Sequence, residues 1–253
     1  SDVCSSDLTF EIKDAETEAF EEHLSTPLPN DVRIVFPRDG GCSLWASRAV
    51  LSSASEYFKT SFKSGCSEAN VESSRDTKAI GSTSPTPSEL HNLKYSTITV
   101  TEASIRTYRS VLCWIYTSYV DFSPLLSTFA ADASAERTSL LSAFLEKFAS
   151  ENPSLPLPSS PKSVYRLAHY LEISDLKDLA LANLKRQLAP DNIAVELFSE
   201  TSGRYKEVLE VMVEFAVAQT REMKESAGWK AMMASGVGGD RARGTDREDD
   251  VRA

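Results

Sequence analysis

An α+β fold, mostly helical, is what this sequence predicts, and three stretches carry the expectation. Residues 31–62 begin with an alternation, Val32, Ile34 and Phe36 against Asp31, Arg33 and Val35, and then change to helical periodicity. Residues 97–115 repeat that succession of strand and helix. From Pro161 as far as Gln219 the apolar residues recur only at helical spacing, one segment after another.

Each element follows from its own residues. The first strand has one apolar face. Pro37 to Gly41 supplies a turn with two consecutive glycines, and Cys42 to Trp45 returns as a hairpin partner. Ala46, Ala49 and Val50 share one helical face, and Tyr57, Phe58 and Phe62 another, so two short helices follow. Ser53 or Ser55 can cap the second, with Glu56 favourably placed near its positive end. Between residues 64 and 96 the composition shifts to Ser, Thr, Pro and Asn. Too polar to offset its ordering entropy, this stretch reads as a flexible insertion, and its Ser84-Pro85 and Thr86-Pro87 dipeptides suit phosphorylation.

Thr97 to Val100 forms a strand by alternation and β-branching. Thr101 is expected to cap the next helix, which carries Ile105, Tyr108, Leu112 and Ile115 on one face. A second insertion, about 125–161, holds a helix marked by Leu140, Leu141, Phe144, Leu145 and Phe148. Its apolar stripe predicts packing on the domain, and a Pro/Ser-rich extended stretch follows it. Val164, Leu167, Ala168 and Leu171 mark the helix opened by Pro161, and Leu176, Leu179, Leu184 and Leu188 mark the one after a break at 172–175. Asp191 is expected to cap a third, with Ile193, Leu197 and Phe198. Tyr205, Val208, Leu209, Met212, Phe215 and Ala216 line the last strong helix. Consecutive amphipathic helices with such short breaks pack antiparallel. The tail, 235–253, mixes charge and glycine and reads as disordered.

At 253 residues with 41% hydrophobic content, the chain can bury a sizeable core. Its net charge of −10 speaks against nucleic acid as a partner, which would draw on clustered Lys and Arg. No apolar run reaches membrane-spanning length, so no membrane partner is expected. Cys4, Cys42, Cys66 and Cys113 are scattered without ligand spacing and read as reduced thiols, in keeping with a cytoplasmic or nuclear location. The histidines are His23 in an acidic lead-in (residues 9–30), His91 in the first insertion, and His169 on a helix; no motif fixes a nucleophile or carboxylate beside any of them. Walker, GxGxxG and HExxH patterns are absent from the sequence. No enzyme activity, cofactor or metal is therefore expected. Residues 1–8, SDVCSSDL, look like the translation of a sequencing-library adapter, which would make Cys4 spurious and place the genuine N-terminus, with any domain it carries, upstream.

The stretch DVRIVFPRDGGCSLWASRAVLSSASEYFKTSF resembles the start of the BTB/POZ domain in its fungal form. Asp31, Val32, Trp45, Ala46, Arg48, Leu51, Ser55, Tyr57 and Phe58 fall on that family's positions, while Ser47 stands where most members carry His. Residues 113–120, CWIYTSYV, are similar to the family's Ile/Leu-Tyr-Thr-Gly signature with Ser118 in place of Gly, which predicts a locally different or strained backbone. Residues 163–200 are similar to the end of the domain and the helical extension that often follows it. The resemblance places the domain at 31–189 and the extension at 190–234.

The resemblance implies a helical cluster flanked by a small mixed β-sheet, commonly assembled as a homodimer through the first helix and its surroundings, here Trp45, Val50 and Leu51. It implies a charged pair in the dimer groove, Asp31 and Arg48, where some members receive partner peptides. Members that deliver substrates to a cullin-based ubiquitin ligase present a hydrophobic-x-Glu motif after the second short helix, and Cys66-Ser67-Glu68 falls at that place. The expectation is a non-enzymatic, homodimerising adaptor serving such a ligase for an unknown protein substrate. The alternative is a scaffold or transcription-linked regulator without ligase association.

Overall fold

The alternating stretch at residues 31–36 becomes the central strand of a small mixed sheet. The computed structural model describes residues 30–64, 95–129 and 134–234. Strand β1 (Val32–Phe36) pairs antiparallel with β2 (Cys42–Ala46) and parallel with β3 (Ser96–Thr99), in the order β2-β1-β3. The register sets Ile34 opposite both Leu44 and Ile98, so one face is apolar across all three strands. The hairpin turns through a 3-10 turn at Pro37–Asp39, then Gly40 (φ 72°) and Gly41 (φ 75°), both in the left-handed region that glycine enters at no steric cost.

Helices α1 (Arg48–Ala54) and α2 (Glu56–Ser64) follow the hairpin, and α3 (Ile105–Thr117) follows β3. Ser55 caps α2: its Oγ accepts from the Phe58 N–H at 3.2 Å and donates to the Leu171 carbonyl at 2.5 Å, which ties the start of α2 to a helix far along the chain. Helix α3 buries Tyr108, Val111, Leu112 and Cys113, with Tyr108 edge-on to Phe36 at 5.3 Å. Its cap is Ser104, whose Oγ accepts from the Thr107 N–H, and not Thr101, which lies outside the helix and donates to Glu102. A second group closes the same helix end, because Asp39 Oδ2 accepts from the Ile105 N–H at 2.8 Å. At the other end Ser118 has φ 58° and ψ 24°, a left-handed residue where the resemblance marks a glycine position.

The helical remainder comprises α4 (Ser134–Glu151), α5 (Pro161–Tyr170), α6 (Ser174–Arg186), α7 (Ile193–Leu197), α8 (Glu200–Arg204), α9 (Lys206–Ala218), α10 (Thr220–Glu225) and α11 (Ala227–Ala234). Helices α5 and α6 pack on each other across a tight turn. There Glu172 is left-handed (φ 57°), its N–H donates to the His169 carbonyl, and the Ile173 N–H reaches back to Ala168. The turn before α7 is held by Asn192 rather than Asp191. Asn192 is buried, accepts from the Ala189 N–H and donates to the Gln187 carbonyl, both at 2.9 Å, whereas Asp191 points to solvent.

One apolar core runs from Val32 in β1 to Met223 in α10, with no break between residues 189 and 190. The C-terminal helices therefore continue the core of the preceding domain. A separate small core, Leu126, Leu141 and Leu145 with Phe129, Phe144 and Leu157 around it, belongs to α4 and its flanks. Leu140, in the predicted stripe of that helix, faces solvent instead. The lead-in before residue 30, most of the first insertion and the tail from residue 235 lie outside the described residues.

Candidate partner-binding surface

The first helix begins without a capping bond from its own N-cap side chain, Ser47. Two distant residues supply what is missing. Tyr116, from α3, accepts from the Ser47 N–H through its phenol oxygen at 2.8 Å, and Asp31, at the edge of β1, accepts from the Arg48 N–H at 2.7 Å. A carboxylate beside a helix N-terminus also suits the helix dipole. Burial, the largest cause, pushes the Tyr116 phenol above its ordinary pKa.

Arg48 completes the junction. Its Nε lies 3.5 Å from Asp31 Oδ2, another guanidinium nitrogen donates to Ser96 Oγ in β3, and its Cζ sits 4.9 Å from the ring centre of Phe62 in α2. Asp31 and Arg48 thus join β1, β3, α1 and α2, yet their side chains stay 46% and 41% exposed. The pair has an internal structural role and a surface still open to another molecule. Its ion pair alone is worth little in water; the fixed hydrogen bonds to the helix start are what hold the geometry.

The residues singled out for self-association separate on burial. Leu51 is fully buried in the chain's own core, and Trp45 is 4% exposed with its ring edge-on to Tyr95 at 5.2 Å. Neither side chain has appreciable surface left for a partner, because the core and Tyr95 already cover them. Val50 is half-buried and keeps an open side. Cys66 and Glu68 lie outside the described residues.

A second surface lies on α9. Val208, Met212 and Ala216 of this helix are buried, while Leu209, Val213 and Val217, one turn apart, are 38%, 44% and 70% exposed. Glu207 and Glu214 of the same helix are drawn towards α6 by Lys177 (2.9 Å) and Lys185 (3.1 Å). Lys177 and the Tyr165 hydroxyl, donating to Glu207 at 3.1 and 3.0 Å, hold that carboxyl below its usual range. Burial, followed by the Glu207 bond, pushes Tyr165 up. Among the described residues no group of three or more His, Cys, Asp or Glu is placed to hold a metal ion. None of the described helices is long and apolar enough to cross a membrane.

Comparison with known families decides what kind of scaffold this is: the BTB/POZ domain matches residues 20–153, just over half of the chain. The chain belongs to the BTB/POZ family. No curated protein matches it closely enough to count as a relative. A BTB/POZ domain is a protein–protein interaction module.

The BTB match stops at residue 153, but the apolar core it begins is completed by α5 to α10. A buried ion pair marks that junction. Lys162 Nζ in the first turn of α5 lies 3.5 Å from Glu196 Oε2 in α7, with side chains only 4% and 2% exposed. Ser127 Oγ donates to the other Glu196 oxygen at 2.5 Å. Sequence reasoning missed this pair and missed Tyr116 as the anchor of α1. Tyr116 lies inside the recognised CWIYTSYV stretch, which offered a signal, whereas nothing local distinguishes Lys162 from a solvated lysine.

Proposed function

We propose that this chain is a non-enzymatic, homodimerising BTB adaptor of the cytoplasm or nucleus that recruits protein substrates to a cullin-based ubiquitin ligase. The observation that carries the reading is the continuity of the core into the C-terminal helices, which sets α7 to α11 rigidly on the BTB fold. An adaptor must hold its extension in a fixed direction to present a second protein, and a shared core does that. The open stripe Leu209, Val213 and Val217 offers the extension an apolar face of the kind protein partners cover. On the BTB side, Val50 with Asp31 and Arg48 forms the surface proposed for the second copy.

Calorimetric titration of the full chain against the N-terminal region of a BTB-binding cullin tests the ligase half, with Glu68→Lys as control. Micromolar or tighter binding, lost in the variant, is the expected result. A folded dimer that binds no cullin would remove the ligase reading. It would leave the scaffold alternative, which the exposure of the Asp31–Arg48 pair favours because partly exposed charges can receive a peptide.

A further inference from the structure

The boundary between the two apolar cores falls between adjacent residues. Leu125 belongs to the main core and Leu126 to the small one. The chain leaves the main core there and returns at Ser159, which is bridged to Phe122, accepts from the Ser123 N–H at 3.0 Å and meets Ser110 Oγ at 2.8 Å. Departure and return are thus side by side, both pinned to the main body. Among the described residues between them, the apolar core is three buried leucines, with Pro158 buried at the returning end, and α4 is exposed along most of its length. A segment with so little buried apolar surface opens at far lower cost than the body it rests on.

Polar contacts tie its departing end to the C-terminal helices. Gln187 Oε1 accepts from the Leu125 N–H at 2.7 Å, on the main-core side of the boundary. On the far side of the boundary is the Ser127–Glu196 bond, in which a hydroxyl donates to a buried carboxylate. We propose that residues 126–129 and 134–158 form a strap that opens as its own cooperative unit while the main core stays folded, with the Ser127–Glu196 hydrogen bond as its latch. Opening uncovers Leu126 and Leu157 and removes one donor from Glu196, so the strap's state is felt at α7. By linkage, a partner that tightens α7 holds the strap closed by the same factor. This inference does not depend on the ligase or the dimer.

Native-state hydrogen exchange on the full chain, read by mass spectrometry, tests it. Amides of α4 are expected to exchange ~100-fold or more faster than those of Val111 to Cys113 in α3. Ile34→Val, a mild change in the main core, should speed α3 about fivefold and leave α4 unchanged, because strap opening breaks none of the contacts of Ile34. Ser127→Ala should speed α4 by about tenfold. If α4 exchanges at the rate of α3 and responds equally to Ile34→Val, the strap opens only with global unfolding and the proposal is wrong. No response of α4 to Ser127→Ala would eliminate the latch.

Discussion

Replacing Lys162 by Met should be among the most damaging single changes available, although lysine is ordinarily a surface residue. With the charges 3.5 Å apart and both side chains almost fully enclosed, the attraction is about 5 kcal/mol at an effective dielectric constant of ~20. Removing one partner forfeits that attraction and strands a buried carboxylate, for which the usual cost is about 3–5 kcal/mol. Ser127 still donates to Glu196, which offsets part of the loss and sets the expectation for Lys162→Met near 3–4 kcal/mol. Glu196→Leu alone takes the carboxylate from a buried ammonium and should also destabilise the protein. The double variant Lys162→Met/Glu196→Leu removes both charges, so its cost should fall to about 1 kcal/mol or less, leaving a coupling energy of several kcal/mol. Chemical denaturation of the four proteins measures this cycle. A double variant that costs the sum of the two singles would refute the reasoning, as would a Lys162→Met cost below ~1 kcal/mol.

Three further outcomes follow from the same geometry. Ser118→Gly should stabilise the protein by about 0.5–1 kcal/mol, seen as a raised melting temperature, because an exposed non-glycine residue in the left-handed region carries a penalty that glycine lacks. Gly228→Ala should destabilise by about 1–3 kcal/mol in denaturant titration, since the added carbon would sit 1.9 Å from the Asp191 carbonyl oxygen and force α11 off the turn before α7. Tyr116, Tyr119 and Tyr165 all have raised pKa values, chiefly from burial, so their neutral forms are favoured in the folded protein. Their contribution to stability is complete below the unfolded phenol pKa of about 10 and is lost as pH rises through the folded values. In phenolate absorbance, Tyr116→Phe, Tyr119→Phe and Tyr165→Phe should therefore each lack a component that titrates above the ordinary phenol range in the parent, and loss of a component at or below that range would contradict it.

The parts of the fold legible in the sequence are those fixed by local periodicity. Val32, Ile34 and Phe36 announce a strand because alternation is decided by neighbours two apart, and the buried face is the one expected. Ser55 was legible as a cap because the N–H it accepts from lies three residues on. The misses were long-range. Thr101 is as good a cap residue as Ser104, and what favours Ser104 is Asp39 closing the same helix end from 66 residues away. Asp191 lost its expected role because the buried turn needs a side chain that both donates and accepts, which Asn192 does and a carboxylate does not.

The site shows the same division. Motif positions placed Asp31 next to Arg48, but Trp45 and Leu51 differ from Val50 only in what the rest of the chain stacks on them, which no local pattern encodes. Helix α9 is apolar over more of its circumference than one core can cover. Its periodicity puts Val208, Met212 and Ala216 on the core-facing line and leaves out Val213 and Val217, as observed, but it also puts Leu209 there, which is 38% exposed.

The central claim is that this BTB/POZ domain joins two copies of the chain through the surface around Val50. Sedimentation equilibrium of the full chain, with Val50→Asp as the paired variant, tests it most directly. The account predicts a dimer across the micromolar range that Val50→Asp shifts to monomer without loss of helical content. A wild-type chain that stays monomeric throughout, or a dimer indifferent to Val50→Asp, would contradict it.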